Sequence, residues 1–208
     1  REYFQEPQMR KPEAEEAGSE AYIAKLWRQK RNEGIIEETQ KQKKLSLYGD
    51  WSNRIRSYDT KSQVKLLKFA QFENYLVSSD DRDAITVYDW DENKTLARFS
   101  NGNPFGTKVT DIKLMNEDDI PLLMVGSSDG LIKIYKNLHS VNDLQLVTAW
   151  RGLSDMLLTP RSNGLLSEWQ QSRGSLLVTG DVKIIRVWDA LSESLEVDIP
   201  AKTSSLFT

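Results

Sequence analysis

Apolar residues are spaced in two ways along the chain, and the change comes near residue 60. Upstream, Tyr22, Ile23, Leu26 and Trp27 recur at i, i+1, i+4 and i+5, with Lys25, Arg28, Gln29 and Lys30 filling the other side. That spacing predicts an amphipathic helix. Ser19 is placed to cap its N-terminus, and Glu20 suits the positive end of the helix dipole. Gly34 costs such a helix about 1 kcal/mol relative to Ala, yet Ile35, Ile36 and Thr39 carry the pattern towards the basic run Lys41 to Lys44. Residues 1–18 are polar, broken by Pro7 and Pro12 and acidic around Glu13, Glu15 and Glu16, which predicts an extended linker. Basic amphipathic helices can contact membranes or nucleic acid. Here Glu33, Glu37 and Glu38 cancel much of the positive charge, so the preferred reading lays Tyr22, Ile23, Leu26 and Trp27 on the neighbouring domain.

From Val64 onward the period becomes that of strands: short β-branched and aromatic runs between Gly, Asn, Asp and Ser clusters. The runs repeat as a set of four. Val64–Phe69, Tyr75–Ser79, Ile85–Asp89 and Thr95–Phe99 form one set. Val109–Met115, Leu122–Gly126, Leu131–Tyr135 and Leu144–Trp150 form the next, and Leu165–Trp169, Ser175–Thr179, Ile185–Asp189 and Leu195–Ile199 the last. The third runs align at Tyr88, Tyr135 and Trp188, 47 and 53 residues apart. A blade of a WD-repeat propeller takes about 40–45 residues, and the excess falls in loops, chiefly Gly152 to Gly164.

Each third run is preceded by an acidic turn carrying Asp80, Asp129 or Asp181. A carboxylate there can accept hydrogen bonds from backbone amides and hydroxyls and so set a tight turn. Paired carboxylates also serve catalysis, as in glycosidases, but a group found at the same place in every repeat belongs to the scaffold. The aromatics Tyr88, Tyr135 and Trp188 are placed to pack between adjacent blades, and Val187-Trp188-Asp189 is a full WD signature. The Gly-His pair that usually opens such a blade is absent, and His139 stands in the wrong place to supply it. The hydrogen-bond tetrad built on that His therefore cannot form. The expected fold is all-β: a partial WD-repeat β-propeller of about three four-stranded blades, preceded by a linker and an amphipathic helix. The boundary is expected at residue 60, with blades over 61–208. Three blades are fewer than the four or more that close a ring and protect its sheet edges. Further blades are therefore expected beyond Thr208.

Composition then removes classes of chemistry. With no Cys and one His among 208 residues, thiol catalysis, disulfides and structural zinc sites are excluded, and a Ser-His-Asp triad has one possible base. A net charge of −3 argues against a nucleic-acid partner. No apolar run approaches the ~18 residues that suggest a membrane span. The chain opens without Met or a signal-like apolar core, so it is expected to begin inside a longer polypeptide. Gly102-Asn103-Pro104-Phe105-Gly106 lacks the Gly-Lys-Ser/Thr ending of a phosphate loop and reads as a turn. No cofactor and no enzymatic activity are expected. Met156, Leu157 and Leu158 make the Gly152–Gly164 loop more apolar than solvent requires. Two readings stay open: they meet a partner, or they cap the propeller's own core.

Longer strings are more specific than a dipeptide. Asn101-Gly102-Asn103-Pro104, the eleven residues from Val147 to Leu157, Gly180 to Asp189, and Asp198-Ile199-Pro200 together closely resemble the opening blades of the raptor family, the TOR complex 1 scaffold. The segment from Arg10 through Tyr22–Arg31 is similar to the stretch that joins that family's helical solenoid to its propeller. The resemblance implies a seven-bladed ring completed by later blades, and a non-catalytic scaffold supporting substrate recruitment and nutrient-responsive growth signalling. It implies the TOR kinase and other complex subunits as partners, with a cytoplasmic location peripheral to the vacuolar or lysosomal membrane. The family's substrate-motif pocket belongs to a caspase-like domain not represented in these residues. The alternative is a generic WD-repeat adaptor of another complex, such as a ubiquitin-ligase substrate receptor.

Overall fold

A computed structural model describes residues 16–49, 52, 54, 56–154, 156, 162–190 and 192–200. One helix, α1 (Glu20–Ser46), is followed by three four-stranded sheets. The first holds β1 (Val64–Phe69), β2 (Tyr75–Asp80), β3 (Ala84–Asp89) and β4 (Lys94–Ser100). The second holds β5 (Val109–Met115), β6 (Leu122–Ser127), β7 (Leu131–Lys136) and β8 (Gln145–Arg151). The third holds β9 (Leu166–Gln170), β10 (Ser175–Thr179), β11 (Ile184–Asp189) and β12 (Ser194–Pro200). Each sheet is an antiparallel meander in chain order. All twelve runs expected from the sequence are strands, with ends shifted by at most one residue. Sheets touch through their first strands, β1 against β5 and β5 against β9, so the three blades fan out from a common inner line.

Each blade carries the same irregularity. The register between third and fourth strands slips at Val87/Tyr88, Ile134/Tyr135 and Val187/Trp188. A bulge adds local twist and re-aims the next side chain, and here that side chain is the repeated aromatic. Tyr135 thereby meets Phe99 of the first blade, with ring centroids 4.9 Å apart. Trp188 meets Trp150 of the second edge-on, at 5.9 Å. Tyr88 has no earlier blade among the described residues; Tyr58 stacks on it at 4.6 Å, in the place Phe99 and Trp150 take at the other two joints.

Two apolar clusters fill the joints. Val77, Ile85, Val87 and Ala97 of the first blade pack with Val109, Ile112, Leu114, Leu123 and Val125 of the second. Met115, Leu122, Met124, Ile132 and Ile134 of the second pack with Leu165, Leu176 and Val178 of the third. Strand β6 alternates its side chains between the two clusters, so it is buried at every position. Each large apolar side chain so buried stabilises the fold by about 1.5–3 kcal/mol. Strand β12, apolar only at alternate positions, is exposed throughout, with Leu195, Val197 and Ile199 each near 45%. On β1, Leu67 and Phe69 are also exposed.

The helix departs from expectation in how it sits. It begins at Ser19, whose Oγ accepts the Tyr22 amide at 3.1 Å, and runs unbroken through Gly34. Three of its large apolar residues do not lie on the blades: Trp27 is 73% exposed, and Ile23 and Leu26 are about half exposed. The less exposed positions are Tyr22, Lys25, Arg28, Asn32 and Ile35. At 3.6 residues per turn, Lys25, Arg28, Asn32 and Ile35 lie about half a turn from Ile23, Leu26 and Trp27. The expectation that Tyr22, Ile23, Leu26 and Trp27 together pack on the domain is therefore corrected. Arg28 lies beside Asp119 and Arg31 beside Glu73, and these ion pairs select the inward face. No described helix is long and apolar enough to cross a membrane.

Candidate partner-binding face

One end of the blades gathers the β2–β3, β6–β7 and β10–β11 turns together with the β4–β5 and β8–β9 connections. The three acidic residues occupy equivalent turns there but are held differently. Asp80 is buried and accepts the amides of Arg82 and Ala84 at 2.9 Å, Arg98 Nη2 at 3.1 Å and the Ser62 hydroxyl. Burial alone would push its carboxyl up, but the bonds from Ser62, the Ala84 and Arg82 amides and Arg98 together hold it below the usual aspartate range. Asp129 accepts only the Leu131 amide as a turn bond, at 3.2 Å, while its own carbonyl takes Arg151 at 2.8 Å. Asp181 accepts the Ser162 hydroxyl.

Ser62 and Ser162 both precede a first strand and both clip the following acidic turn. In the second blade the connection is made by Lys108 and Ser128, whose amides reach Ser128 Oγ at 3.1 Å and the Lys108 carbonyl at 2.9 Å. These serine clips close the blade ends where the expected Gly-His pair is missing. Sequence reasoning passed over them because isolated serines carry no periodic signal.

The Asn101-Gly102-Asn103-Pro104 string is a buried polar knot between the first two blades. Asn101 is 2% exposed. Its Oδ1 accepts the Tyr135 hydroxyl at 2.9 Å, its Nδ2 donates to Asn103 Oδ1 and Ser127 Oγ, and its carbonyl accepts Lys133 Nζ. Asp83 Oδ2 takes the Asn103 amide at 3.0 Å and Ser100 Oγ at 2.9 Å. Burial, with the Asp83 charge adding to it, pushes the Tyr135 phenol up to about 12. Beyond the knot, the Thr107 amide closes a turn on the Pro104 carbonyl at 3.0 Å, and Gly106 supplies the positive φ of 87° it needs. Phe105 stands fully exposed at its tip.

The β8–β9 connection starts as a fitted piece. The Gly152 and Leu153 amides bond the Gly130 carbonyl at 2.8 and 3.3 Å, Leu153 is buried, and Trp188 Nε1 reaches the Gly152 carbonyl at 3.3 Å. Gly130, at φ 84°, has no room for a side chain: a Cβ would lie 2.1 Å from the Leu153 carbonyl oxygen. Met156 is half-buried against the second apolar cluster, beside Gly130 and Gly180. Leu157 and Leu158 lie outside the described residues.

The opposite end carries the helix, whose contacts the apolar pattern did not signal. Arg31 pairs with Glu73 at 2.8 Å, Arg28 with Asp119 at 2.5 Å, and Asn32 Nδ2 donates to the Asp118 carbonyl at 2.9 Å. What could have found them is the run Glu117-Asp118-Asp119, in the β5–β6 turn, read against the helix arginines.

The Asp80 and Asp129 carboxylates accept backbone amides of their own turns, and Asp181 accepts the Ser162 hydroxyl. Among the described residues no group of three or more acidic or His side chains is placed to hold a metal.

No family model matches the chain. It is 67% identical over all 208 residues to the target of rapamycin complex 1 subunit KOG1 of Saccharomyces cerevisiae, of which it spans 13%. It is 42% identical, again over its full length, to the complex 1 subunit mip1 of Schizosaccharomyces pombe, spanning 16% of that protein. Among solved structures it is similar to Chaetomium thermophilum Raptor, with 45% identity and a TM-score of 0.67 over 74% of this chain and 14% of that one. It also superposes on the RRP9 WD40 repeats with a TM-score of 0.53 at 15% identity, over 70% of this chain and 40% of that one, a likeness of fold alone.

Proposed function

Similar along its entire length to complex 1 subunits of two yeasts, the chain belongs to the raptor family, and on that premise we propose that it is part of a scaffold subunit of TOR complex 1. In this reading residues 1–60 join a helical solenoid to the propeller, and 61–208 form its first three blades. The exposed apolar faces of β1 and β12 meet later blades of the same polypeptide. That two such faces flank a blade buried on both sides supports the ring reading.

The scaffold is non-catalytic in this proposal, and its role is to hold the TOR kinase and other subunits in a nutrient-responsive assembly. It acts from the cytoplasm at the vacuolar or lysosomal surface, through the complex rather than through a span of its own. The observation that carries the reading is the 67% identity, which includes the helix as well as the blades. A generic WD-repeat adaptor of another system is disfavoured, because such a protein has no reason to share α1 and the Val147–Leu157 string.

Within the scaffold, the Gly152–Gly164 loop is the surface assigned to a partner, with Met156 as its anchor and Leu157 and Leu158 supplying contact. One affinity purification from cells tests both levels. The tagged full-length protein is expected to bring down the TOR kinase, and absence of the kinase would reject the assignment. A Leu157→Ser/Leu158→Ser variant is expected to fold normally yet lose one associated protein. Unchanged recovery of every partner would remove the loop from the interface.

A further inference from the structure

The contact between α1 and the blades is made of charge and hydrogen bonds, with Ile23, Leu26 and Trp27 turned the other way. Arg31 reaches Glu73 on the β1–β2 turn of the first blade, while Arg28 and Asn32 reach Asp119 and the Asp118 carbonyl on the β5–β6 turn of the second. Glu117 of that second turn accepts the Gln71 amide at 2.7 Å, joining the two turns directly. Four acidic residues are thus collected across one blade joint, under two arginines of a single helix.

The side chains in these contacts are partly exposed, although Arg28 Nε and Asp119 Oδ1 are themselves shielded from water. The Arg31 and Glu73 side chains are 41% and 27% exposed, and those of Arg28 and Asp119 are 28% and 30%. Arg28 and Asp119 are close in distance but lack hydrogen-bond geometry, since neither Arg28 Nε nor Asp119 Oδ1 has a hydrogen-bond partner. Asn32 is the only buried side chain of the 27-residue helix. An exposed ion pair shifts an equilibrium by a factor of about 1.4 to 5, and the apolar side chains on the inward side, Tyr22 and Ile35, are only partly buried.

We propose that α1 is a salt-releasable strap: the acidic turns of the first two blades hold it through Arg28 and Arg31, and it lifts away as an intact helix when those charges are screened or reversed. Because the strap straddles a blade joint, its release redirects whatever the helix carries relative to the propeller.

Electron-spin distance measurements on the full-length protein test this, with genetically encoded spin labels at Ile36 on the helix and Val141 in the β7–β8 connection. At 0.1 M salt a single narrow distance is expected. Raising salt to 1 M shortens the screening length from about 10 to about 3 Å and should broaden the distribution. Arg28→Glu with Arg31→Glu should raise the released fraction roughly tenfold at 0.1 M salt. Adding Asp119→Arg to Arg28→Glu should restore the narrow distance. Distances that ignore salt and charge reversal would overturn the proposal, as would failure of the swap to restore them. So would release caused by Ile23→Ser with Trp27→Ser at 0.1 M salt, or loss of the helix's amide-exchange protection at the same salt that changes the distance.

Discussion

The two ends of the blades hold their attachments by different physics. At one end the β8–β9 connection is fitted into the blades by backbone hydrogen bonds, a glycine that leaves no spare volume, and the buried Leu153. At the other, α1 rests on acidic turns through ion pairs between partly exposed side chains. Close packing fails abruptly when a single atom is added, whereas an exposed charge contact weakens by degrees with salt. The first end is therefore built as a fixed surface and the second as an adjustable one.

Substitutions at each end should separate the two. The largest effect is expected from Gly130→Ala, which forces a methyl group onto the Leu153 carbonyl at a backbone angle that favours glycine. We expect a loss of about 4 kcal/mol, read from the urea midpoint. A midpoint shifted by less than a quarter of that would mean the connection yields easily, and the contrast would collapse.

Tyr135→Phe is expected to cost less, about 1–2 kcal/mol, by leaving the buried Asn101 Oδ1 without its phenol donor. It also carries a pH signature. Below pH 10 the phenol is neutral in both states. Between 10 and about 12 the unfolded chain releases this proton while the folded one keeps it, so stability falls as pH rises through that window. The Phe variant should lose this part of the alkaline decline. An identical decline in both proteins would show that another group is responsible.

The smallest effect belongs to Arg28→Glu with Arg31→Glu. The unfolding midpoint of the blades should move by no more than about 1 kcal/mol, even as the helix position changes. A shift as large as that of Gly130→Ala would make the helix part of the folded core and erase the distinction.

Much of this architecture was legible in the residues. The twelve strands follow from period-two apolar runs between turn residues, and the helix start from Ser19 and Glu20. The aromatics Tyr88, Tyr135 and Trp188 stood out because they recur at one place in each repeat. Other features left no such mark. Ser62 and Ser162 look like any loop serine until the fold brings each to an aspartate 18 or 19 residues away. The Asn101 knot joins residues up to 34 positions apart, so its string was recognisable while its task was not. Tyr58 could not be read as a stand-in for an earlier blade without the ring geometry.

By itself the sequence determined which segments are strands, how they group into blades and where the helix begins, because these depend on local periodicity and capping within a few residues. Burial was decided in part only in three dimensions: the continuous apolar run of β6 is covered on both sides, whereas the alternating Leu195, Val197 and Ile199 of β12 stay open. The orientation of α1 was decided there too. Amphipathic spacing predicts that the apolar side of a helix faces inward, but the charges folded into the adjacent turns attracted the opposite side.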